Sequence, residues 1–191
     1  MSTVGHPVAP DIDAPLVEAA RGGDVGAFER LVERHRDVVT RMAARVVGDD
    51  DAEDVAQDAF LRAFHRLDAF RAEAAFRTWL LQITHNAALS AVAGRPDAGP
   101  ITSEEGSLAP GSPVEQLERR ERLRRLDLKL KGLSPTHRAV LVLRDVEGLS
   151  YEEIAEVTGA PLGSVKARLH RARGELIELL RTNTYDWDLP R

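Results

Sequence analysis

Lys166, Arg168, Arg171 and Arg173 place four fixed positive charges within eight positions, with no acid among them. Such side chains hold phosphate oxygens, Arg through a planar fork of N–H donors and Lys as a point charge. Projected at about 100° per residue from Ser164, the residues Val165, Leu169, Ala172, Leu176, Leu179 and Leu180 fall in one apolar arc. Ala167 and Gly174 lie opposite, flanked by Arg168 and Arg171 on one side and by Lys166, His170 and Arg173 on the other. Small residues at the centre of a basic face let a helix sit deep in a groove while long side chains reach the backbone phosphates.

A basic helix face alone is usually no more than a solvated face. The preceding residues give this one its context. Ser150 and Glu153 have capping-box spacing, and Ile154, Ala155 and Val157 line the apolar side of a short helix. Gly159 stops that helix, Ala160-Pro161-Leu162-Gly163 makes a turn, and Ser164 is placed to start the next helix. Charge is segregated, with Glu152, Glu153 and Glu156 on the first helix and the basic cluster on the second. This is the pattern of a helix-turn-helix with a recognition helix for duplex DNA.

The other concentration of chemistry-bearing residues is acidic. In DDDAEDVAQD, residues 49–58, the acids stand before or within the first turn of a helix, where the helix dipole favours them. Ala52, Val55, Ala56, Ala59, Phe60, Ala63 and Leu67 take the inner side of that helix, and Asp54, Gln57, Asp58 and Leu61 the outer side. A leucine ringed by polar residues has the make-up of an interface core with its rim. A calcium loop does not fit, because the central glycine and the terminal glutamate spacing are missing. The six histidines are scattered without metal-ligand spacing, and no nucleophile elbow or phosphate-cradling glycine loop is present. The sequence therefore points to no enzyme, no cofactor and no metal.

The 191 residues carry 30% charged and 43% hydrophobic side chains, and no cysteine. That composition fits a soluble cytoplasmic protein, with no transmembrane span or export signal in the sequence. Net charge is −5, which argues against independent DNA binding by phosphate neutralisation. Its distribution is uneven: net −5 over residues 1–93, −2 over 94–113 and +2 over 114–191. An acidic front half before a basic recognition helix implies that a partner holds the chain near DNA.

Residues 1–13 read as a disordered tail. Helices are expected from Ala14 to Arg21, from Val25 to about Val47 after a capping Asp24, across the acidic segment, and over residues 76–93 (FRTWLLQITHNAALSAVA). Residues 68–75 between the last two read as a loop. Residues 94–113 hold four Gly, four Pro and three Ser and read as a linker spanning about 25 Å as a coil. With such a linker the two halves need not touch. Beyond it, 114–131 reads as a charged helix. Ser134-Pro135 opens an apolar helix that Gly148 ends, followed by the helix-turn-helix, and residues 183–191 form a tail. The expected fold is all-α: two small helical domains, 14–93 and 114–182, joined by a flexible linker.

Three stretches, in order, resemble the extracytoplasmic-function (ECF) group of the sigma-70 family. DDAEDVAQDAFLRAF, residues 50–64, is similar to region 2.2 of that family, and FRTWLLQITHNAAL, residues 76–89, to regions 2.3 and 2.4. LSPTHRAVLVLRDVEGLSYEEIAEVTGAPLGSVKARLHRARGEL is similar to region 4. The resemblance implies a promoter-specificity subunit of bacterial RNA polymerase, with promoter DNA, core polymerase and an anti-sigma factor as partners. The core contacts it implies are the clamp of the largest subunit and the flap of the second-largest. Asp54, Gln57, Asp58 and Leu61 match the clamp-binding positions. Phe70, Arg71, Phe76, Arg77, Trp79, His85 and Asn86 match the part that reads the −10 element as single strand. Ser164, Lys166, Ala167, Arg168, His170, Arg171 and Arg173 match the part that reads the −35 element as duplex.

The chain departs from the family pattern after Asn86. Residues 90–95 are nearly neutral where arginines are common, and His85 stands where a basic residue is common. Both weaken the expected −10 duplex contacts, and His85 would make them mildly pH-sensitive. The alternative reading is a free-standing dimeric helix-turn-helix regulator with residues 14–93 as a sensor or dimerisation domain.

Overall fold

The structure is a computed structural model that describes residues 11–94 and 129–181. The expected tail 183–191, nearly all of the linker and most of the 114–131 helix lie outside the described residues. Every regular element among the described residues is helical. The elements are α1 (Ala14–Arg21), α2 (Val25–Val47), α3 (Ala52–His65), a 3₁₀ turn (Leu67–Ala69), α4 (Phe76–Ala93), α5 (Pro135–Leu141), α6 (Tyr151–Thr158) and α7 (Leu162–Arg181).

Local chemistry sets most of these boundaries. The Asp24 side chain accepts the Ala27 amide at 3.1 Å and opens α2. Gly48, at φ 98°, ends it in a conformation that a side chain would disfavour. Helix α4 lacks a cap of its own, because Ala75 occupies the N-cap position. Asp11 supplies one from a distance: its carboxylate accepts the Phe76 amide at 2.7 Å. Asp13, 1% exposed, accepts from Arg34 at 2.6 Å and meets the buried His35 ring at 2.7 Å. The last three residues of the expected tail are thus held in place. Their carboxylates satisfy donors that would otherwise be left without partners.

Helices α2, α3 and α4 pack on one another around Leu31, Val39, Met42, Val46, Phe76, Leu80 and Leu81, all nearly inaccessible. Ala56, Ala59 and Ala63 give α3 a flat inner side, and all three are buried, so α3 lies close to its neighbours. The expected inner side of α3 is observed, except that Phe60 is only partly covered.

In the second half, the Ser134 hydroxyl accepts the His137 amide at 3.3 Å and Pro135 follows in the first turn of α5. Helix α5 continues as a π-helical turn over Val142–Val146, which the sequence does not foretell. The Ser150–Glu153 capping box forms in both directions, at 3.1 and 2.7 Å. Gly159 ends α6 in the left-handed conformation, φ 64°. Helix α7 starts two residues earlier than expected. The Pro161 carbonyl accepts from the Ser164 and Val165 amides, so Pro161, with its fixed φ, takes the entry position and Ser164 falls inside the first turn.

The two halves are in contact: α4 packs against α6, and α2 against α5. Glu147, with a side chain 3% exposed, receives Arg41 at 2.8 Å and Arg77 at 3.0 Å. Arg138, buried in the second half, donates to the Val46 carbonyl at 3.0 Å and to the Leu133 carbonyl at 3.0 Å. A guanidinium at the C-terminal carbonyls of α2 complements both their free acceptors and the negative end of the helix dipole.

Candidate nucleic-acid and partner interfaces

Helix α7 turns Val165, Leu169 and Ala172 into the core, as the periodicity predicts. Lys166, Ala167, His170, Arg171, Arg173 and Gly174 are exposed, and Ser164 and Arg168 are half-buried. The small centre and basic flanks expected of this face are therefore present together. Arg173 does not stand free: its guanidinium pairs with Asp145 at 2.7 and 3.4 Å, which raises its pKa further. Lys166 lies 6.0 Å from the centre of the Tyr151 ring, on the side of α7 that meets α6, and Arg144 covers the same ring at 4.8 Å.

A second site forms where the loop 70–75 meets the start of α4. Phe70 packs edge-on against Phe76 at 5.8 Å between centroids and lies 5.1 Å from Trp79. Beside them opens a cavity of about 350 Å³, lined by Arg71, Glu73, Thr78, Trp79 and Gln82 and by Glu156 of α6. The Gln82 amide donates to the Glu156 carbonyl at 2.9 Å, so what the cavity offers a ligand is chiefly the aromatic wall, on which an unstacked nucleobase can lie. Phe76, at 1% exposed, belongs to the core and shapes this wall from behind instead of meeting a ligand. Arg77 is turned towards Glu147, and Asn86 is exposed with its side chain 3.4 Å from His85 Nδ1.

His85 is buried, against the expectation of a pH-sensitive DNA contact. Burial pushes its pKa down; the Asn86 side chain opposes this and the nearby Arg168 adds to it. The ring is therefore neutral near pH 7 and sits where the two halves meet.

The third site is a groove of about 500 Å³ between α2 and α3. Phe28, Val32, Phe60, Leu61 and Phe64 supply its apolar walls, with Gln57 at one side and the unpartnered Thr40 hydroxyl lining it. Leu61 is 54% exposed, as its place in the helical projection predicts. Phe64, 44% exposed, and Val25, 58% exposed, extend the apolar lip; both went unrecognised in the sequence. Their signal was an apolar residue at a solvent position, spaced i, i+3 from Leu61 in the case of Phe64. The charged side chains that line the groove are Arg36 and Glu53, paired at 2.7 Å; Asp54 is exposed on the same helix and Asp58 is held by Arg62 at 2.7 Å, and neither lines the groove. Among the described residues no cluster of His, Cys, Asp or Glu is arranged to hold a metal ion. No helix among them is long and apolar enough to cross a membrane.

These three sites lie on stretches that match known proteins. The family model for sigma-70 region 2 matches residues 31–95, and that for sigma-70, region 4, matches residues 123–176. The ECF RNA polymerase sigma-E factor of Escherichia coli strain K12 is 38% identical over 172 residues, covering 84% of this chain and 90% of that protein. Two solved structures align as well. CnrH in complex with the cytosolic domain of CnrY has a TM-score of 0.68 at 31% identity, covering 90% of this chain and 98% of CnrH. The sigma factor RpoE from Bartonella quintana, in complex with the anti-sigma factor NepR, has a TM-score of 0.62 at 26% identity, covering 81% and 96%. The chain belongs to the ECF sigma factors of the sigma-70 family. It is a promoter-specificity subunit of RNA polymerase, and the dimeric-regulator reading is not favoured.

Proposed function

We propose that the chain divides this task among its three sites, with no chemistry of its own. The α2–α3 groove is the seat for core polymerase. Leu61 and Phe64 offer the apolar contact with Gln57 beside them, and Asp54 and Asp58 further along α3 add acidic groups suited to a basic helix of the clamp. The cavity beside Phe70 and Trp79 takes a base extruded from the −10 element. The exposed face of α7 reads the −35 duplex, with Lys166 on phosphate and Arg168 or Arg171 reaching a guanine edge. The chain works in the cytoplasm, where core polymerase and promoter DNA are found.

The observation that carries this reading is the groove, where Leu61 and Phe64 stand 54% and 44% exposed beside polar side chains, the make-up of an interface core with its rim. The sigma factor RpoE from Bartonella quintana is in complex with the anti-sigma factor NepR, and we propose a partner of that kind here too, competing for the same exposed surfaces. The experiment is co-purification with core polymerase. Leu61→Arg should abolish binding while the thermal transition stays unchanged. Undiminished binding would place the core contact elsewhere.

A further inference from the structure

The loop 70–75 carries one side of the Phe70–Trp79 cavity, yet little within it holds its shape. Among the described residues, no backbone amide from Arg71 to Ala75 donates a hydrogen bond. Ala72 sits at φ 56°, in the left-handed region that costs a residue with a side chain energy. The loop is held at its ends instead. At its entry the Phe70 amide donates to the Leu67 carbonyl at 3.1 Å, and Arg21 of α1 reaches the Asp68 carbonyl at 3.5 Å. At its exit the Phe76 amide donates to Asp11 at 2.7 Å. Asp11 is itself fixed, because its other carboxylate oxygen accepts the Asp13 amide at 3.1 Å. The Asp13 carboxylate is buried between Arg34 at 2.6 Å and His35 at 2.7 Å. The His35 ring lies 5.6 Å from that of Phe76, which in turn lies 5.8 Å from Phe70 and 5.7 Å from Trp79. Residues 11–13 thus reach Phe76 by two routes, its amide through Asp11 and its ring through Asp13 and His35.

We propose that Asp11 is a positioning residue for −10 recognition and that Asp13 anchors it: the segment before α1 sets the exit of the loop 70–75 and the ring of Phe76, and with them the aromatic wall that receives a base. The proposal rests on the reading of the Phe70–Trp79 cavity as the −10 site. Neither aspartate lines that cavity, so neither touches the base, and both act through Phe76. A cap for α4 alone needs only a polar side chain at position 75. The chain has alanine there and brings its acceptor from 65 residues away, so capping the helix and placing the loop are one contact. A binding wall keeps its geometry to within about 0.5 Å only where a second layer of hydrogen bonds and packing locks it. Asp11, Asp13 and His35 supply that layer. None of them lines the α2–α3 groove or belongs to α7, so core docking and −35 reading do not depend on them directly.

The test uses holoenzyme reconstituted from core polymerase and the chain carrying Asp11→Ala or Asp11→Asn. Single-stranded −10 fragments, randomised one position at a time, give base discrimination. Core affinity and preference among −35 duplexes are measured on the same preparations, and circular dichroism melts check folding. Trp187→Phe leaves Trp79 as the one tryptophan of the sequence, so acrylamide quenching reads the cavity wall itself. Asp11→Ala should increase that quenching and lower discrimination at one −10 position about tenfold, within what stacking of a base on an aromatic ring contributes. Core affinity and −35 preference should stay as they were. Asp11→Asn keeps an acceptor oxygen for the Phe76 amide and should stay close to the unchanged chain. Unchanged discrimination in folded Asp11→Ala would overturn the proposal. So would a parallel loss of core affinity, −35 preference and −10 discrimination, which marks a general loosening of the fold. If Asp11→Ala does not fold, Asp13→Asn decides by the same readings. Trp79→Ala separates this from failure of the pocket. If it lowers discrimination where Asp11→Ala does not, only the positioning role falls; if it leaves discrimination unchanged, the −10 reading fails and the positioning role with it.

Discussion

The Asp11 carboxylate accepts the Phe76 amide at 2.7 Å, across 65 residues of chain. The pairing ties the segment before α1 to the first turn of the helix that carries Trp79. It also gives α4 the cap that Ala75 cannot supply. Removal with Asp11→Ala should cost about 1 kcal/mol of stability, the usual worth of an N-cap side chain. Urea denaturation checks this, and an unchanged midpoint would show that water caps the helix equally well. The same variant should weaken −10 recognition beyond its effect on folding, because the loop 70–75 ends at the capped position.

His85 predicts a pH dependence. Its folded pKa lies below the unfolded value of about 6.5. Above that value both states are neutral and pH has no effect through this residue. As pH falls below about 6.5, the unfolded chain takes up a proton that the folded form resists, so stability declines with acidification. Chemical denaturation at pH 7.5 and 5.5 should show a smaller loss for His85→Gln than for the unchanged chain. Equal losses would assign the acid sensitivity to other groups.

On α7, Arg168→Ala or Arg171→Ala should relax preference at one −35 base pair by about 1–3 kcal/mol if the lost contact was bidentate to guanine. Lys166→Ala should weaken all sequences alike and reduce the salt dependence of binding. A selection over randomised −35 sites reads both. Uniform weakening by either arginine variant would reassign that side chain to phosphate.

Phe64→Glu should impair core binding as Leu61→Arg does, because both residues line the same groove. Phe64 packs edge-on against Phe28 at 5.0 Å, so a melting curve separates lost binding from lost packing.

Much of this was legible in the residues. Gly22-Gly23, Asp24, Gly48, Ser134-Pro135, the Ser150–Glu153 box and Gly159 are local signals, and helices begin or end at each of them. The two faces of α3 and α7 follow from a period of 3.6 residues, which needs no tertiary information. Long-range pairing was not legible. Nothing around Asp11 in the sequence announces Phe76, and nothing around Glu147 announces Arg41 and Arg77. The burial of His85 likewise comes from the packing of separate elements. The π-helical turn at Val142–Val146 leaves no mark on periodicity that a short apolar run could reveal.

The most direct test of the account is transcription with purified core RNA polymerase on a library of promoter fragments. The account predicts that the 191-residue chain makes core start at discrete sites sharing −10 and −35 elements. It further predicts that Leu61→Arg abolishes these starts and Trp79→Ala lowers them. Core that starts at no site with the chain present, or starts equally well with Leu61→Arg, would contradict it.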